Sequence, residues 1–218
     1  MITSNLPHKT FSFPVGELQV SVKSAIEKVD VTFTFTKNED IIELLLFADA
    51  ARRKGYTLRN LTMPYVPFSR QDRCTTPGEA FSLKVFCDLI NGLNFQRVKI
   101  EDPHSDVTPA LLNNCIVTPQ WDLLAIPVLQ NTKPKHFYLV APDAGALKKT
   151  HKLAQQFNTP RFLGVIESSK DRNTSTGEIT GTVVHASSLI STVTHGDLDI
   201  PIVYVIPDDI CDGGRTFI

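Results

Sequence analysis

The chain has no surplus of charge and no long apolar run. Its 22 basic and 23 acidic side chains give a net charge of −1, so it lacks the broad basic field that favours nucleic acids or anionic membranes. The longest apolar stretch, residues 41–47, contains a glutamate and is far too short to cross a bilayer. The first residues lack a charged leader followed by an apolar segment, so no secretory signal is predicted. We therefore expect neither a nucleic-acid partner nor a membrane partner.

Cysteine is scarce and scattered. The 4 cysteines show no CxxC pair and no repeated spacing: Cys74, Cys87, Cys115 and Cys211. This pattern favours free thiols in a reducing compartment over a disulfide framework or a zinc site. The sequence therefore predicts a cytoplasmic protein.

Two segments have the spacing of amphipathic helices. The first is predicted over residues 36–55, where Thr36 and Glu39 have the spacing of a capping box and Gly55 suits the position after the C-terminus. The second is predicted over residues 79–91. Its buried side is expected to consist of Phe81, Val85, Leu89 and Ile90.

Short apolar segments alternate with these helices and with a third helix expected at 144–157. Strands are predicted at 58–66, 97–101, 137–141, 162–166 and 202–206. Such alternation indicates an α/β architecture with parallel sheets flanked by helices. The polar stretch 131–134 is the best candidate for a linker, so we predict one domain over residues 1–133 and a second over residues 134–218.

Polar clusters follow four of the predicted strands. They are Ser69–Arg73, Glu101–Asp106, Asp143–Gly145 and Asp208–Thr216. Ligands of α/β sheets bind at the carboxyl ends of the strands. The coincidence of strand ends and polar clusters therefore indicates an enzyme.

The last of these clusters suits a sugar phosphate. The adjacent carboxylates of Asp208 and Asp209 can accept hydrogen bonds from the vicinal hydroxyls of a ribose. Gly213 and Gly214 allow backbone N–H groups to surround an anion, and Thr216 can add a hydroxyl donor. The alternative is an Asx-rich turn that caps a helix.

The motifs together resemble those of the ribose-phosphate pyrophosphokinases. The segment 208–216 resembles the ribose-binding loop of type I phosphoribosyltransferase folds. The other matching motifs stand in the order and spacing of the family: FPVGELQV (13–20), MPYVPFSRQDR (63–73), KIEDPHSD (99–106) and VAPDAGALKK (140–149). The resemblance covers nearly the whole chain. It implies two phosphoribosyltransferase-like domains, the first on the ATP side and the second, with the ribose-phosphate loop, incomplete.

The resemblance also implies an activity. Members of this family transfer the diphosphoryl group of ATP to the anomeric hydroxyl of ribose 5-phosphate with Mg²⁺, giving phosphoribosyl diphosphate and AMP. They form homodimers or larger homo-oligomers. Three alternatives stay open: a phage-type variant that acts on a larger acceptor such as ADP-ribose, a non-catalytic nucleotide-binding regulatory homologue, and a phosphoribosyltransferase.

On the ATP side, the resemblance implies roles for a basic loop and a hairpin. Arg70 and Gln71 match ATP-binding positions, and an arginine fork suits phosphate oxygens. Phe13 and Glu17 match residues that hold the adenine, which the family supplies across a subunit interface. Without the resemblance, the basic loop would be interpreted as a solvated turn and Phe13 as a core residue.

His104 and Asp143 match the metal-linked positions of the family, and His104 is also implied in ATP binding. Imidazole is an unusual ligand for Mg²⁺, which prefers oxygen. His104 is therefore also a candidate to act through water or to orient ATP. A lone histidine beside a proline is otherwise more often structural.

The polar segment 167–182 has the composition of a mobile flap. Within it, Lys170 and Arg172 match the spacing of the catalytic lysine and arginine of the family, although an ungapped alignment places Ser168 at the lysine position. Matching Lys170 requires an insertion of two residues. The alternative is an exposed hairpin with solvated charges.

The ribose loop departs from the usual Asp-Thr-x-Gly-Thr of the family. The corresponding residues are Asp212, Gly213, Gly214, Arg215 and Thr216. A threonine has become glycine and a glycine has become arginine. Arg215 adds a cationic fork near the 5-phosphate site, so we expect it to favour an acceptor with a second phosphate.

Overall fold

The computed structural model describes residues 1–24, 26–172, 179–185 and 201–211, with side chains described outside 169–172 and 179–185. The chain divides into two compact units, Met1–Thr118 and Pro119–Ile218. This division falls one helix earlier in the chain than the linker predicted at 131–134. The domain limits predicted at residues 133 and 134 stay a prediction. Each unit is described separately.

The first unit is built around a five-stranded sheet. Its elements in chain order are β1 (Ile2–Ser4), β2 (His8–Ser12), β3 (Leu18–Val22), β4 (Lys28–Phe33), α1 (Glu39–Arg53), β5 (Thr57–Met63), α2 (Ser82–Gly92), β6 (Arg97–Glu101), α3 (Val107–Leu111) and β7 (Cys115–Thr118). The strand order is β1-β4-β5-β6-β7, with β1 antiparallel to β4 and the other neighbours parallel. Strands β2 and β3 form a separate antiparallel hairpin.

The parallel strands of this sheet follow one another in chain order without reversal. Because each crossover is right-handed, α1, α2 and α3 fall on the same face. One apolar core joins the helices to that face, as with Phe47 of α1, Phe86 of α2 and Phe33 of β4. The alternate positions of the strands are polar and more exposed, for example Lys99 of β6. The opposite face of the sheet is therefore polar.

Helix α1 begins differently from the prediction. The Thr36–Glu39 capping box is wrong: Glu39 is exposed, and Asp40 accepts from Thr36 N and Thr36 Oγ1 at 2.7 Å each and from Lys37 N at 3.0 Å. At the other end, Gly55 has φ +80° and donates to Arg52 O at 2.8 Å. The predicted glycine position is confirmed, because this left-handed conformation disfavours residues with a Cβ.

The predicted buried face of α2 is wrong in part. Val85 is 57% exposed and Leu89 is 41% exposed. The side chains that are buried follow the i, i+3, i+4, i+7 pattern from the second residue of the helix: Leu83, Phe86, Cys87 and Ile90. Phe81, Val85 and Leu89 are spaced four residues apart and lie along a neighbouring stripe of the helix. Val85 and Leu89 on this stripe face solvent.

The second unit has a four-stranded sheet. Its elements are α4 (Gln120–Asn131), β8 (His136–Ala141), α5 (Ala144–Ala154), β9 (Phe162–Arg172), β10 (Ile179–His185) and β11 (Ile202–Val205). The order is β10-β9-β8-β11, with β10 antiparallel to β9 and the remaining neighbours parallel. Phe137 and Leu139 of β8 pack with Val128 of α4 and Leu153 of α5. The predicted α/β class with mainly parallel, helix-flanked sheets is confirmed.

In the part of the chain that the structure describes, no helix has both the length and the apolar character needed to cross a membrane.

Candidate functional site

Two loops leave the same edge of the first sheet. Strands β5 and β6 are parallel neighbours, with Met63 opposite Ile100, so the segments that follow them start side by side. Each loop contains a non-glycine residue with positive φ, Phe68 at 61° and Asp102 at 36°. Hydrogen bonds hold both turns, from Gln71 N to Phe68 O at 2.8 Å and from Asp102 N to Thr118 O at 2.9 Å. Such backbone geometry costs energy and is found where the surroundings fix it, often at functional sites.

Asp72 connects the two loops. Its side chain is only 4% exposed, and it accepts from Arg73 Nε at 2.8 Å and from the terminal nitrogen Nη2 at 3.2 Å. The pKa of Asp72 lies below its usual value, chiefly because Arg73 hydrogen-bonds to it, although burial opposes this. The charge of His104, on the loop after β6, lowers the pKa further. Because β5 and β6 are parallel neighbours, the loop that carries His104 starts beside the basic loop.

The predicted phosphate-binding residues occupy the exposed side of this edge. Arg70 and Gln71 are exposed and lie between the buried residues Ser69 and Asp72, while His104 is exposed on the adjacent loop. The buried residues Ser69 and Asp72 hold the loop in place, and the exposed residues between them present their polar groups to solvent. The arrangement suits an anion, because guanidinium and imidazole donors face outward from one sheet edge.

Phe13 and Glu17 lie elsewhere, on the turn between β2 and β3. Phe13 N donates to Glu17 O at 2.8 Å, and Gly16 N donates to Phe13 O at 2.8 Å. The Phe13 ring is 47% exposed and meets Phe11 edge to face with ring centroids 5.3 Å apart. The hairpin belongs to its own two-stranded sheet, so these two residues do not lie on the edge that carries Arg70 and His104.

The second sheet has an acidic edge. Asp143 follows β8 and caps α5, since its Oδ1 accepts from Ala146 N at 3.0 Å. Asp208 and Asp209 follow β11, the parallel neighbour of β8. The pKa of Asp208 is raised by burial first, then by a hydrogen bond with Asp209 and by the negative charges of Asp209 and Asp143. Three carboxylates therefore share this edge. Gly145 leaves space for the Asp143 carboxylate, because a Cβ there would lie 3.3 Å from Asp143 Oδ1.

The two predicted metal-linked residues belong to different units, His104 to the first and Asp143 to the second. Within the described residues, no group of three or more His, Cys, Asp or Glu side chains is arranged to hold a metal ion. Burial is the main cause of the raised pKa of Asp208, and the negative charges of Asp209 and Asp143 add to it; a cation would relieve that added repulsion. Mg²⁺ is commonly held by one or two carboxylates together with waters and substrate phosphates, so the donors around Asp143 fit it.

Strand β9 extends beyond the sheet. Strand β8 pairs with β9 as far as Ala141 opposite Glu167, and from Ser168 onward β9 pairs only with β10, up to Arg172 opposite Ile179. Lys170 lies in this two-stranded arm opposite Thr182, whereas residues 173–178 and the side chains of Lys170 and Arg172 lie outside what is described. The predicted flap thus contains antiparallel strand pairing at its base.

Ser168, the alternative match for the family lysine, has a structural partner. Its side chain is buried, and its Oγ donates to Ala141 O, the last carbonyl of β8, at 2.6 Å. A buried hydroxyl that satisfies a buried carbonyl contributes to folding. The position of Ser168 is consistent with a role at the junction of sheet and arm.

Known proteins share these motifs and this fold. Residues 2–93 match the family described as the N-terminal domain of ribose phosphate pyrophosphokinase. The ribose-phosphate pyrophosphokinase of Saccharolobus solfataricus is 28% identical over 172 residues, which cover 77% of this chain and 57% of the relative. That of Corynebacterium ammoniagenes is 28% identical over 168 residues, covering 73% and 51%. The chain is therefore similar to ribose-phosphate pyrophosphokinases, and its residues 2–93 resemble their N-terminal domain.

A solved structure has a similar fold. The phosphoribosylpyrophosphate synthetase from Mycobacterium smegmatis matches with a TM-score of 0.65 and 18% identity, over 83% of this chain and 58% of that one. The chain spans about half the length of the curated ribose-phosphate pyrophosphokinases that it matches, 57% and 51% for the two relatives named above.

Part of the ribose-phosphate loop expected in this family lies outside the described residues: Asp212, Gly213, Gly214, Arg215 and Thr216. The sequence interpretation also missed the connection between Asp72 and the loop after β6. A carboxylate placed between Gln71 and Arg73 in an otherwise basic loop was the available signal, but its burial depends on packing that the sequence does not show.

Proposed function

We propose that the chain takes part in ATP-dependent transfer of a diphosphoryl group to the anomeric hydroxyl of ribose 5-phosphate, which gives phosphoribosyl diphosphate and AMP. One observation carries the proposal: each sheet has a polar carboxyl edge with its own set of exposed or shared donors and acceptors. The first edge presents Arg70, Gln71 and His104, and the second presents Asp143 and Asp208 with Asp209. Guanidinium and imidazole donors suit a polyphosphate, and grouped carboxylates suit hydroxyl groups and a divalent cation.

In this proposal, the first edge binds ATP. Arg70 contacts phosphate oxygens through its fork, Gln71 donates a neutral hydrogen bond, and His104 orients the phosphate chain. The adenine is held by Phe13 and Glu17 of a second copy of the chain. The exposure of the Phe13 ring supports this role, because an exposed aromatic ring at a hairpin turn is available to stack on a base. The working assembly is therefore a homodimer or a larger homo-oligomer.

The second edge binds the acceptor. Asp208 and Asp209 accept hydrogen bonds from the 2- and 3-hydroxyls of the ribose, and the loop 212–216 surrounds the 5-phosphate. Mg²⁺ bound near Asp143 would neutralise charge on the phosphates. The raised pKa of Asp208 is consistent with a site that is completed by hydroxyl donors and a cation.

Lys170 and Arg172 are proposed as the catalytic pair. Cationic side chains stabilise the charge that develops on a migrating phosphoryl group. The structural role of Ser168 supports Lys170 over Ser168 as the match to the family lysine, because the Ser168 hydroxyl is engaged with Ala141 O. Replacing Lys170 by Gln should lower turnover without preventing ATP binding.

The test is AMP release from ATP and Mg²⁺ with ribose 5-phosphate as the acceptor. The variant Arg70→Gln should lose most of the rate, whereas Arg97→Gln, an exposed arginine at the first residue of β6, should retain it. ADP-ribose is offered in parallel, because the expectation from Arg215 is a preference for the larger acceptor. A folded protein that binds ATP but releases no AMP with either acceptor would contradict the proposal and favour a nucleotide-binding homologue.

A further inference from the structure

We propose that Ser168 and Glu167 are positioning residues of the two-stranded arm formed by β9 and β10. They fix the base of the arm to the segment that carries Asp143, and they thereby set the place of Lys170. The inference rests on the proposed function for the part that Lys170 takes in the reaction. The hold of the two side chains on the arm can be measured without any reaction.

The arm leaves the second sheet at one point. Strand β8 accompanies β9 as far as Ala141 opposite Glu167, and beyond that residue β9 pairs only with β10. A two-stranded hairpin is marginally stable by itself, so the direction of the arm depends on what holds it at this point. Lys170 lies about 7 Å beyond Ser168 along the strand, so a tilt of about 10° at Ser168 moves its backbone by about 1 Å. Displacements of that size at reacting groups cost up to about 100-fold in rate.

The first contact at the base of the arm is buried. Ser168 is 7% exposed, and its Oγ donates to Ala141 O at 2.6 Å. Ala141 is the last residue of β8, so the hydroxyl satisfies a carbonyl where the pairing of β8 with β9 ends. Only Pro142 separates Ala141 from Asp143, whose Oδ1 caps α5 by accepting from Ala146 N at 3.0 Å. The contact therefore ties the arm to the turn that carries Asp143.

The second contact comes from the neighbouring side chain of β9. Adjacent side chains of a strand point to opposite faces of the sheet, and Glu167 reaches α5, where its Oε1 lies 3.2 Å from His151 Nε2. A carboxylate only accepts hydrogen bonds, so the imidazole donates. Both side chains are about half exposed, so this contact is weaker than the buried one. His151 belongs to the helix that Asp143 caps. Held from both faces to one segment, the base of the arm resists tilting in either direction.

The first experiment measures amide hydrogen exchange in the full chain and compares the arm with the rest of the second unit. Ser168→Ala leaves the Ala141 carbonyl without its partner, so exchange over residues 168–172 and 179–185 should quicken by about tenfold. Ser168→Thr retains a hydroxyl and should exchange like the wild type. His151→Ala should quicken exchange in the arm by about twofold to threefold, as expected for a half-exposed pair.

A matched control is available in Thr132→Val. The Thr132 hydroxyl is buried and donates to Val128 O at 2.8 Å at the end of α4. The variant therefore removes a comparable hydroxyl–carbonyl contact from the same unit and retains the shape of the side chain. It should leave hydrogen exchange in the arm unchanged. Should Ser168→Ala fail to fold, Ser168→Cys takes its place, because a thiol has nearly the size of the hydroxyl but is a weak donor.

The second experiment measures AMP release from ATP and Mg²⁺ with the acceptor that the wild type uses, ribose 5-phosphate or ADP-ribose. Ser168→Ala should lower kcat by about tenfold and leave the KM for ATP unchanged, because the arm is displaced while the loops of the first unit stay intact. Ser168→Thr should restore kcat. A loss that raised the KM for ATP instead would contradict a positioning role.

Three further results would overturn the inference. The first is unchanged exchange in the arm of Ser168→Ala. The second is faster exchange spread evenly over the second unit, which would show a general loss of stability. The third is faster exchange in the arm of an active enzyme without any fall in kcat. A wild-type chain that releases no AMP with either acceptor would refute the proposed function, and the exchange rates would then decide by themselves whether the two side chains hold the arm.

Discussion

Replacement of Asp40 by alanine should strongly destabilise the first unit. The carboxylate accepts from the backbone N–H groups of Thr36 and Lys37 and from the Thr36 hydroxyl, at 2.7 to 3.0 Å. The N-cap of α1 is Asn38, which makes no side-chain cap hydrogen bond, so Asp40 instead satisfies donors of the turn that precedes the helix. The variant leaves these partly buried donors without an acceptor, which costs about 1–3 kcal/mol. We expect the free energy of unfolding to fall by about 2 kcal/mol, and the midpoint of thermal unfolding by about 6 °C.

The pH dependence gives a second measure of the same interaction. Burial alone would raise the pKa of Asp40, but hydrogen bonds from the Met1 amino group, Thr36 and Lys37 outweigh burial and hold the pKa far below its ordinary value. A carboxyl group whose pKa is lower in the folded state stabilises the protein above its unfolded-state pKa. That stabilisation is lost as the pH falls through the folded-state value. The stability difference between wild type and variant should therefore shrink in strong acid.

Urea unfolding followed by circular dichroism measures these quantities, with Glu39→Ala as the control. Glu39 is the capping-box partner of Thr36 predicted from the sequence, but it is exposed, so its removal should cost no more than about 0.5 kcal/mol through the helix dipole. The reverse ranking of the two variants would refute the assignment of Asp40 as the residue that fixes the start of α1. A difference that does not depend on pH would refute the electrostatic explanation.

Other predictions concern charge, backbone and thiols. Asp208→Asn should raise the unfolding midpoint at neutral pH, because a carboxyl group with a raised pKa loses stabilisation as the pH rises. The gain in the midpoint should vanish in acid. A gain in acid alone would contradict the raised pKa of Asp208. Gly55→Ala should lower the free energy of unfolding by about 1 kcal/mol in denaturant titrations, because Gly55 has φ +80°. Gly92 has no positive φ, so Gly92→Ala should be neutral or stabilising. Equal effects of the two variants would exclude a backbone cause. An alkylating reagent should modify exposed Cys74 in the native protein but not Cys87, whose pKa burial raises to about 12; mass spectrometry at intervals distinguishes the two sites.

The sequence allowed the architecture to be predicted better than the faces of its elements. Strands such as β6 and β8 are short, apolar and bounded by polar residues, so their type follows from local pattern. The buried side of α2 did not follow, because its two apolar stripes overlap in sequence and only packing selects the one that contains Phe86. The capping box of α1 was wrong for a similar reason, since Glu39 and Asp40 are adjacent carboxylates and only the structure shows that Asp40 bonds to Thr36.

The sequence predicted that the site residues lie at strand ends, but it did not predict which of them interact with one another. Asp143 and Asp208 were singled out because each follows an apolar strand, and the structure places both at one edge of the second sheet. The influence of His104 on Asp72 depends on β5 and β6 being neighbours, which the chain order alone does not determine. The roles of Lys170 and Arg172 remain predictions that AMP release will test.

The order of strands in the first sheet has a consequence for handling the protein. A parallel sheet is usually apolar on both faces and so requires helices on both, but here the crossovers fall on one side and residues such as Asp30, Arg97 and Lys99 lie on the other. A separately produced segment 1–118 would present charges where an ordinary doubly wound sheet would present valine and isoleucine. We expect such a fragment to resist aggregation, and its lysines on that face to accept labels without disturbing the packed side.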